Sequence, residues 1–409
     1  MPQVSNRGKE VIHSPIRSLL PYARKAKSEG AHVYHLNIGQ PDIVTPPEAL
    51  EALKQFEDDI IPYGASEGSE ELRKVVRDYY CENVAEVEEN NIYVTTGASE
   101  AILFILFSCF ESGEEIVIPE PFYANYIGFA QVSEVNLVPV TSHIGASFSL
   151  PKSEDFIAQI TPRTKAIFLC NPGNPTGNMY SREELEEIAQ LVKEHDLFLI
   201  VDEVYREFCY EEDFTSILKI PDLEKHVVVI DSVSKVFSAC GSRIGFLVSR
   251  NDELLASILK YAQLRLCPPM IGQHIATACF RNRMSYLVKV KEEYNRRRLY
   301  LYERLSAIEG VTCYKPKAAF YIMAGLPVDD SSKFCKWLLN DFRHEGSTVM
   351  LAPGNGFYLS EGMGKNQVRI AFVLGLEDLE KAMDCLERAL EVYAEVAPPS
   401  QKPLSYSYR

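Results

Sequence analysis

The stretch "HVVVIDSVSKVFSACGSR", residues 226–243, joins an apolar run to a polar segment. Val227 to Ile230 are apolar at consecutive positions, so a strand there needs cover on both faces. Strands of that kind lie in sheets flanked by helices on both sides. The second half carries Ser232, Ser234, Lys235 and Arg243. In an open α/β sheet, ligands sit outside the carboxyl ends of the strands. A lysine at such an end is either a solvated loop charge or a group with a depressed pKa that can form a Schiff base. The segment alone leaves both readings open.

The surrounding chain repeats the pattern. Short β-rich runs occur at 92–95, 115–118, 137–140, 166–169, 198–201, 227–230 and 244–248. Helical patterns alternate with them. "SREELEEIAQLVKEH" opens with a capping box, Ser181 and Glu184, and places apolar residues at helical spacing. This alternation predicts an α/β layered domain with a mainly parallel, seven-stranded sheet. A long helix is expected over 285–310, with Gly310 as its C-cap. Beyond it the pattern changes to "AAFYIMAG", a helix at 332–346, the strand "QVRIAFV" and a final helix at 377–396. We therefore expect a large domain at 45–310 and a smaller α+β domain at 311–409, with segment 1–44 packing on the small domain. The last residues, 397–409, read as a loose tail.

Composition narrows the function classes. The 409 residues carry a formal net charge of −15, which disfavours a general nucleic-acid binder. The ten cysteines form no CxxC pair and no Cys/His cluster with zinc spacing, so no metal site is expected and a reducing, cytoplasmic setting is. The N-terminus lacks a signal-peptide pattern. The longest apolar run, 101–110, is about half of the roughly 20 residues that span a bilayer, so no membrane association is expected.

Polar residues gather at the ends of the expected strands. "TTGASEAI" (95–102) offers a glycine turn into a helix, a natural phosphate seat, although Ser99 could equally be a plain N-cap. "NPGNPTG" (171–177) demands a rigid turn, and its amides, Asn171 and Asn174, suit a ligand oxygen. Asp202, followed by Glu203 and Tyr205, faces a desolvation cost unless it caps a helix or meets a cation. Arg369, inside an apolar strand, needs an anionic partner, structural or a substrate carboxylate. Together these supply a phosphate seat, a carboxylate, oxygen donors, a Schiff-base lysine and a carboxylate clamp, which is the set that pyridoxal phosphate requires.

From "LNIGQPD" (36–42) to "VRIAF" (368–372) the motifs stand in the order of a known family. The chain resembles the class I/II, fold-type I pyridoxal-phosphate-dependent aminotransferases, and is most similar to bacterial members of the aspartate aminotransferase type. That resemblance implies roles. Lys235 in "SVSK" would carry the cofactor and shuttle the proton. Asp202 in "DEVY" would pair with the pyridinium nitrogen, while Tyr205 and Asn174 would bond the ring's phenolic oxygen. Ser232, Arg243 and the backbone amides of Ala98 and Ser99 would hold the phosphate, and Tyr123 in "PFYANY" would stack on the ring. Gly39 and Arg369 would receive the substrate's α-carboxylate, with Asn174 alongside. Tyr63 in "YGASEGSEELR" would reach the phosphate of the neighbouring subunit, implying a homodimer with shared sites. The chain departs from the family at "SACGSR" (238–243), where many members have bulkier residues before the arginine, and at Ser99, where one aspartate-specific subgroup has lysine. Arg265 in "AQLRLCPP" lies where other members place an arginine for a distal carboxylate. The implied reaction is a ping-pong transfer from an L-amino acid, aspartate leading, to a 2-oxo acid, 2-oxoglutarate. The alternatives are an aromatic or methionine donor, or a pyridoxal-phosphate lyase on the same fold.

Overall fold

The computed structural model describes residues 2–12, 17–56 and 59–396; the tail read at 397–409 lies outside them. The strands, in chain order, are β1 (His32–His35), β2 (Ile92–Thr95), β3 (Glu115–Glu120), β4 (Asn136–Thr141), β5 (Thr164–Cys170), β6 (Phe198–Asp202) and β7 (Val227–Ser232). They continue with β8 (Gly245–Ser249), β9 (Thr312–Cys313), β10 (Tyr321–Gly325), β11 (Ser347–Met350), β12 (Ala352–Pro353) and β13 (Gln367–Ala371).

The central sheet has seven strands in the order β2-β8-β7-β6-β5-β3-β4. All neighbours are parallel except those of β8, which runs antiparallel to β2 and β7. Both faces are covered, as the apolar runs require. Alternate residues feed two separate cores. Val117, Ile167, Leu199, Val201, Val227 and Val229 pack with the helices Glu70–Asn83, Arg182–Glu194 and Met270–Arg281. Ile116, Ile118, Phe168, Ile200, Val228 and Ile230 pack with Ala98–Cys109 and Asp252–Arg265 on the other side. This is the period-2 alternation of a strand buried twice over. The helix Arg182–Glu194 starts on the expected capping box, with the Ser181 Oγ accepting from the Glu184 N–H.

A four-stranded antiparallel sheet, β12-β13-β10-β9, and a parallel pair, β1 and β11, complete the strands. The helix Leu20–Ser28 packs against Ser331–Asn340, so the N-terminal segment shares the core of the C-terminal elements. Two helix ends differ from expectation. The long helix runs Arg283–Ala307 and stops at an extended Ile308, so Gly310 lies beyond the cap and is not the C-cap. The helix expected to reach 346 ends at Asn340, because His344 and Ser347 exchange backbone hydrogen bonds and turn the chain into β11.

The topology places the carboxyl ends of β5, β6 and β7 beside the start of the helix Ala98–Cys109. Among the described residues no helix is long and apolar enough to cross a membrane.

Candidate active site

A cavity of about 440 Å³ opens at those strand ends. Of the residues singled out in the sequence, Gly39, Ala98, Ser99, Tyr123, Asn174, Asp202, Tyr205, Ser232, Lys235, Arg243 and Arg369 line it. Tyr63 and Arg265 do not.

Asp202 ends β6 and is buried. Its Oδ2 accepts from the Tyr126 hydroxyl at 2.7 Å and its Oδ1 from the Val204 N–H at 3.2 Å. Burial pushes its pKa up to about 6, against the pull of those donors. It therefore caps the turn and has no arginine partner. The nearby arginine, Arg206, instead contacts Glu203 and Asp231 in a buried cluster below the cavity. That cluster ties the turn after β6 to the end of β7.

Lys235 follows β7 in the short helix Val233–Val236, which the Ser232 hydroxyl caps by accepting from the Ser234 N–H. The Lys235 Nζ donates to the Gly39 carbonyl at 2.7 Å. Burial lowers its pKa, and the positive charges of Arg369 and Arg243 push the same way. A Cβ on Gly39 would lie 1.7 Å from the Tyr321 hydroxyl, so only glycine passes there.

Asn174 and Tyr205 meet as expected. The Asn174 Nδ2 donates to the Tyr205 hydroxyl at 3.2 Å, and the Asn174 Oδ1 accepts from Arg369 Nη1 at 3.0 Å. Asn171 turns away and accepts from the Tyr180 N–H, holding the loop in shape. Arg369 is 2% exposed and sits between the rings of Tyr321 and Phe357, with 4.5 and 5.1 Å to their centroids. It also donates to the Asn37 carbonyl. It has no carboxylate partner among the described residues, and its Nε lacks any hydrogen bond. A buried cation in that state calls for an anion.

Gly97, at φ +74°, is the N-cap of the helix Ala98–Cys109. Ser99 is thus inside the first turn and is not the cap. A Cβ on Gly97 would come within 2.3 Å of Arg243 Nη2, so the glycine lets that guanidinium lie against the helix start. Free first-turn N–H groups, the positive helix end and Arg243 make a seat for a dianion. The small residues before Arg243 form a tight turn: Ser238 accepts from the hydroxyls of Thr45 and Tyr286, and the Cys240 thiol bonds the Ser234 carbonyl at 2.9 Å. Tyr123 completes the wall, its hydroxyl accepting from Asn125 Nδ2 at 2.7 Å. The donor set therefore fits pyridoxal phosphate: a phosphate seat, an aromatic wall, a buried carboxylate with no ion pair among the described residues, and a lysine of lowered pKa.

Two expectations part from the chain's own cavity. Arg265 ends the helix Asp252–Arg265, pairs with Glu100 at 3.3 Å and donates to the carbonyls of Ser66 and Val94. Its charge is engaged outside the cavity, which removes the support for a distal-carboxylate role there. Tyr63 is 79% exposed. Conversely, Arg17, Tyr126, Tyr321 and Cys240 line the cavity and had not been singled out. Tyr126 alone left a signal, as the second tyrosine of "PFYANY" one helical turn from Tyr123.

Residues 31–386 match the family model described as aminotransferase class I and II. The chain is 31% identical to an aspartate aminotransferase of Pyrococcus abyssi, covering 95% of this chain and 98% of that one. Among solved structures it resembles an alanine aminotransferase from Pyrococcus furiosus, with TM-score 0.88 and 31% identity over 95% of this chain and 100% of that one. It also resembles an aromatic aminotransferase from Pyrococcus horikoshii, with TM-score 0.81 and 29% identity over 90% and 99%. Three donor types at similar identity establish the family and leave the donor open.

Proposed function

The chain belongs to the class I and II aminotransferases, fold-type I enzymes that use pyridoxal phosphate, and on that premise we propose that it transfers the amino group of L-aspartate to 2-oxoglutarate. The observation that carries the substrate side is Arg369, a buried guanidinium with an unbonded Nε and no carboxylate partner among the described residues. It is the group that holds the α-carboxylate of both the amino acid and the oxo acid, by the bidentate geometry natural to arginine. Asn174 and the Gly39 backbone complete that grip.

Pyridoxal phosphate, when bound, supplies the electron sink that lets the amino acid's Cα–H bond break heterolytically. Lys235 Nζ would accept the Cα proton and deliver it across the imine nitrogen to the cofactor's side, and burial, which lowers its pKa, favours the neutral amine that such a base needs. Asp202 keeps a proton on the ring nitrogen; the ionic contact would offset the cost of its own burial. Tyr205 and Asn174 would hold the ring's phenolic oxygen, and Tyr123 would form the wall against the ring. Arg243, Ser232 and the N–H groups of Ala98 and Ser99 hold the phosphate.

The protein acts as a homodimer in this reading, Tyr63 reaching the partner's phosphate. In support, Tyr63, Leu264, Leu266 and Ile271 are all exposed, and the Ser66 hydroxyl donates to the Leu266 carbonyl at 2.6 Å, joining their two segments. The ten unpaired cysteines support a cytoplasmic setting.

The test is a half-reaction screen of the holoenzyme against aspartate, glutamate, alanine, phenylalanine and methionine, following cofactor absorbance and oxo-acid release. Oxaloacetate from aspartate at the highest kcat/KM is expected. Release of ammonia or carbon dioxide without an oxo acid and the amine form of the cofactor would overturn transamination; a neutral donor in first place would overturn aspartate.

A further inference from the structure

We propose that Arg17 binds the side-chain carboxylate of an acidic substrate, and so sets the donor preference of this site; the inference rests on the aminotransferase reading above. Arg17 stands three residues before the helix Leu20–Ser28, where its carbonyl accepts from the Leu20 N–H at 3.0 Å. It lines the cavity with Leu20, Ile38 and Tyr123 and is exposed at its mouth.

The charges on the cavity wall lead to it. Among the described residues four cations line the cavity, Arg17, Lys235, Arg243 and Arg369, against a single carboxylate, Asp202. The cofactor and the α-carboxylate occupy Lys235, Arg243, Arg369 and Asp202. Arg17 is left over, and among the described residues no carboxylate pairs with it. Its field reaches the cavity wall that Arg369 also acts on, because the Tyr123 hydroxyl, whose pKa burial raises, is pulled down by both Arg369 and Arg17. An acid with two carboxylates is the ligand that uses both guanidiniums. The rival positions cannot serve in this cavity: Ser99 is uncharged, and Arg265 is paired with Glu100 outside it.

The experiment compares the holoenzyme with its Arg17→Ala and Arg17→Lys variants. Two readouts are taken: kcat/KM for L-aspartate and L-alanine, and calorimetric binding of the unreactive acids succinate and propionate. A charge-assisted hydrogen bond corresponds to about 10- to 100-fold. Arg17→Ala is expected to lose about that factor for aspartate and for succinate, with alanine and propionate unchanged within about twofold. Arg17→Lys should recover part of the loss. Equal losses for acidic and neutral ligands, or none for either, would overturn the inference, as would a wild-type enzyme that binds succinate no tighter than propionate. The premise fails separately: a wild type that makes no oxo acid from either amino acid refutes transamination, while the succinate measurement still decides the role of Arg17.

Discussion

Replacing Asp202 by Asn should make the cofactor-free protein respond differently to pH. The carboxyl is 5% exposed, and its folded pKa is about 6 against 3.8 in the ordinary state. Because the folded value is the higher one, the contribution of Asp202 to stability is full below 3.8 and is lost as pH rises through about 6. Over the whole range the loss is about 3 kcal/mol, at about 1.4 kcal/mol per unit. Between pH 5 and 8 it amounts to about 1.4 kcal/mol. Asn does not titrate, so this change should appear in the difference between variant and wild type. With an unfolding entropy of about 2.1 cal/mol/K per residue, a chain of this length should show a Tm difference moving by about 1.5 °C in favour of the variant. The slope is the readout and not the offset, since the new amide NH₂ replaces the oxygen that accepts from the Tyr126 hydroxyl. Urea unfolding of both proteins at several pH values measures it. The cofactor supplies a cation for Asp202, so the slope should flatten when it is bound. A difference that is independent of pH, or that favours wild type as pH rises, would refute the reasoning about a buried, unpaired carboxylate.

Arg369→Ala should lower kcat/KM about 10- to 100-fold for every amino acid regardless of its side chain, which steady-state kinetics on aspartate and alanine will show. The cofactor-free Arg369→Leu variant should unfold no earlier than wild type, because a buried cation with no carboxylate partner among the described residues is removed; differential scanning calorimetry checks this. Tyr63→Ala and Lys235→Ala, each inactive alone, should regain about a quarter of wild-type activity after subunits are mixed, since half the dimers are then hybrids with one intact site.

The central sheet was legible because β5, β6 and β7 are apolar on both faces, a pattern that few other settings tolerate. The antiparallel run of β8 left no such mark, since its residues are as buried as those of its parallel neighbours. The short strands β9 and β12 are two residues each, too brief for any periodicity. The end of the long helix was misplaced because Gly310 looked like a stop signal, while Ile308 had already left the helix. In the site, Lys235, Asp202, Asn174 and Arg369 were readable because each is a polar group in a place where burial needs a reason. Arg17 and Tyr321 carry no local anomaly in the sequence. They reach the cavity only because β1 pairs with β11 and β10 lies beside β13, which brings Gly39, Tyr321 and Arg369 together. The resemblance suggested a distal-carboxylate arginine before "LCPP", and only the fold shows Glu100 reaching it.

Every proposed role in this cavity depends on Lys235 carrying the cofactor. Borohydride reduction of the holoenzyme, followed by digestion and peptide mass mapping, tests it most directly. A pyridoxyl label is expected on Lys235 alone, lost when an amino-acid donor is added before the reductant. A label on another lysine, or a Lys235→Ala enzyme that still converts an amino acid to its oxo acid at the wild-type rate, would contradict it.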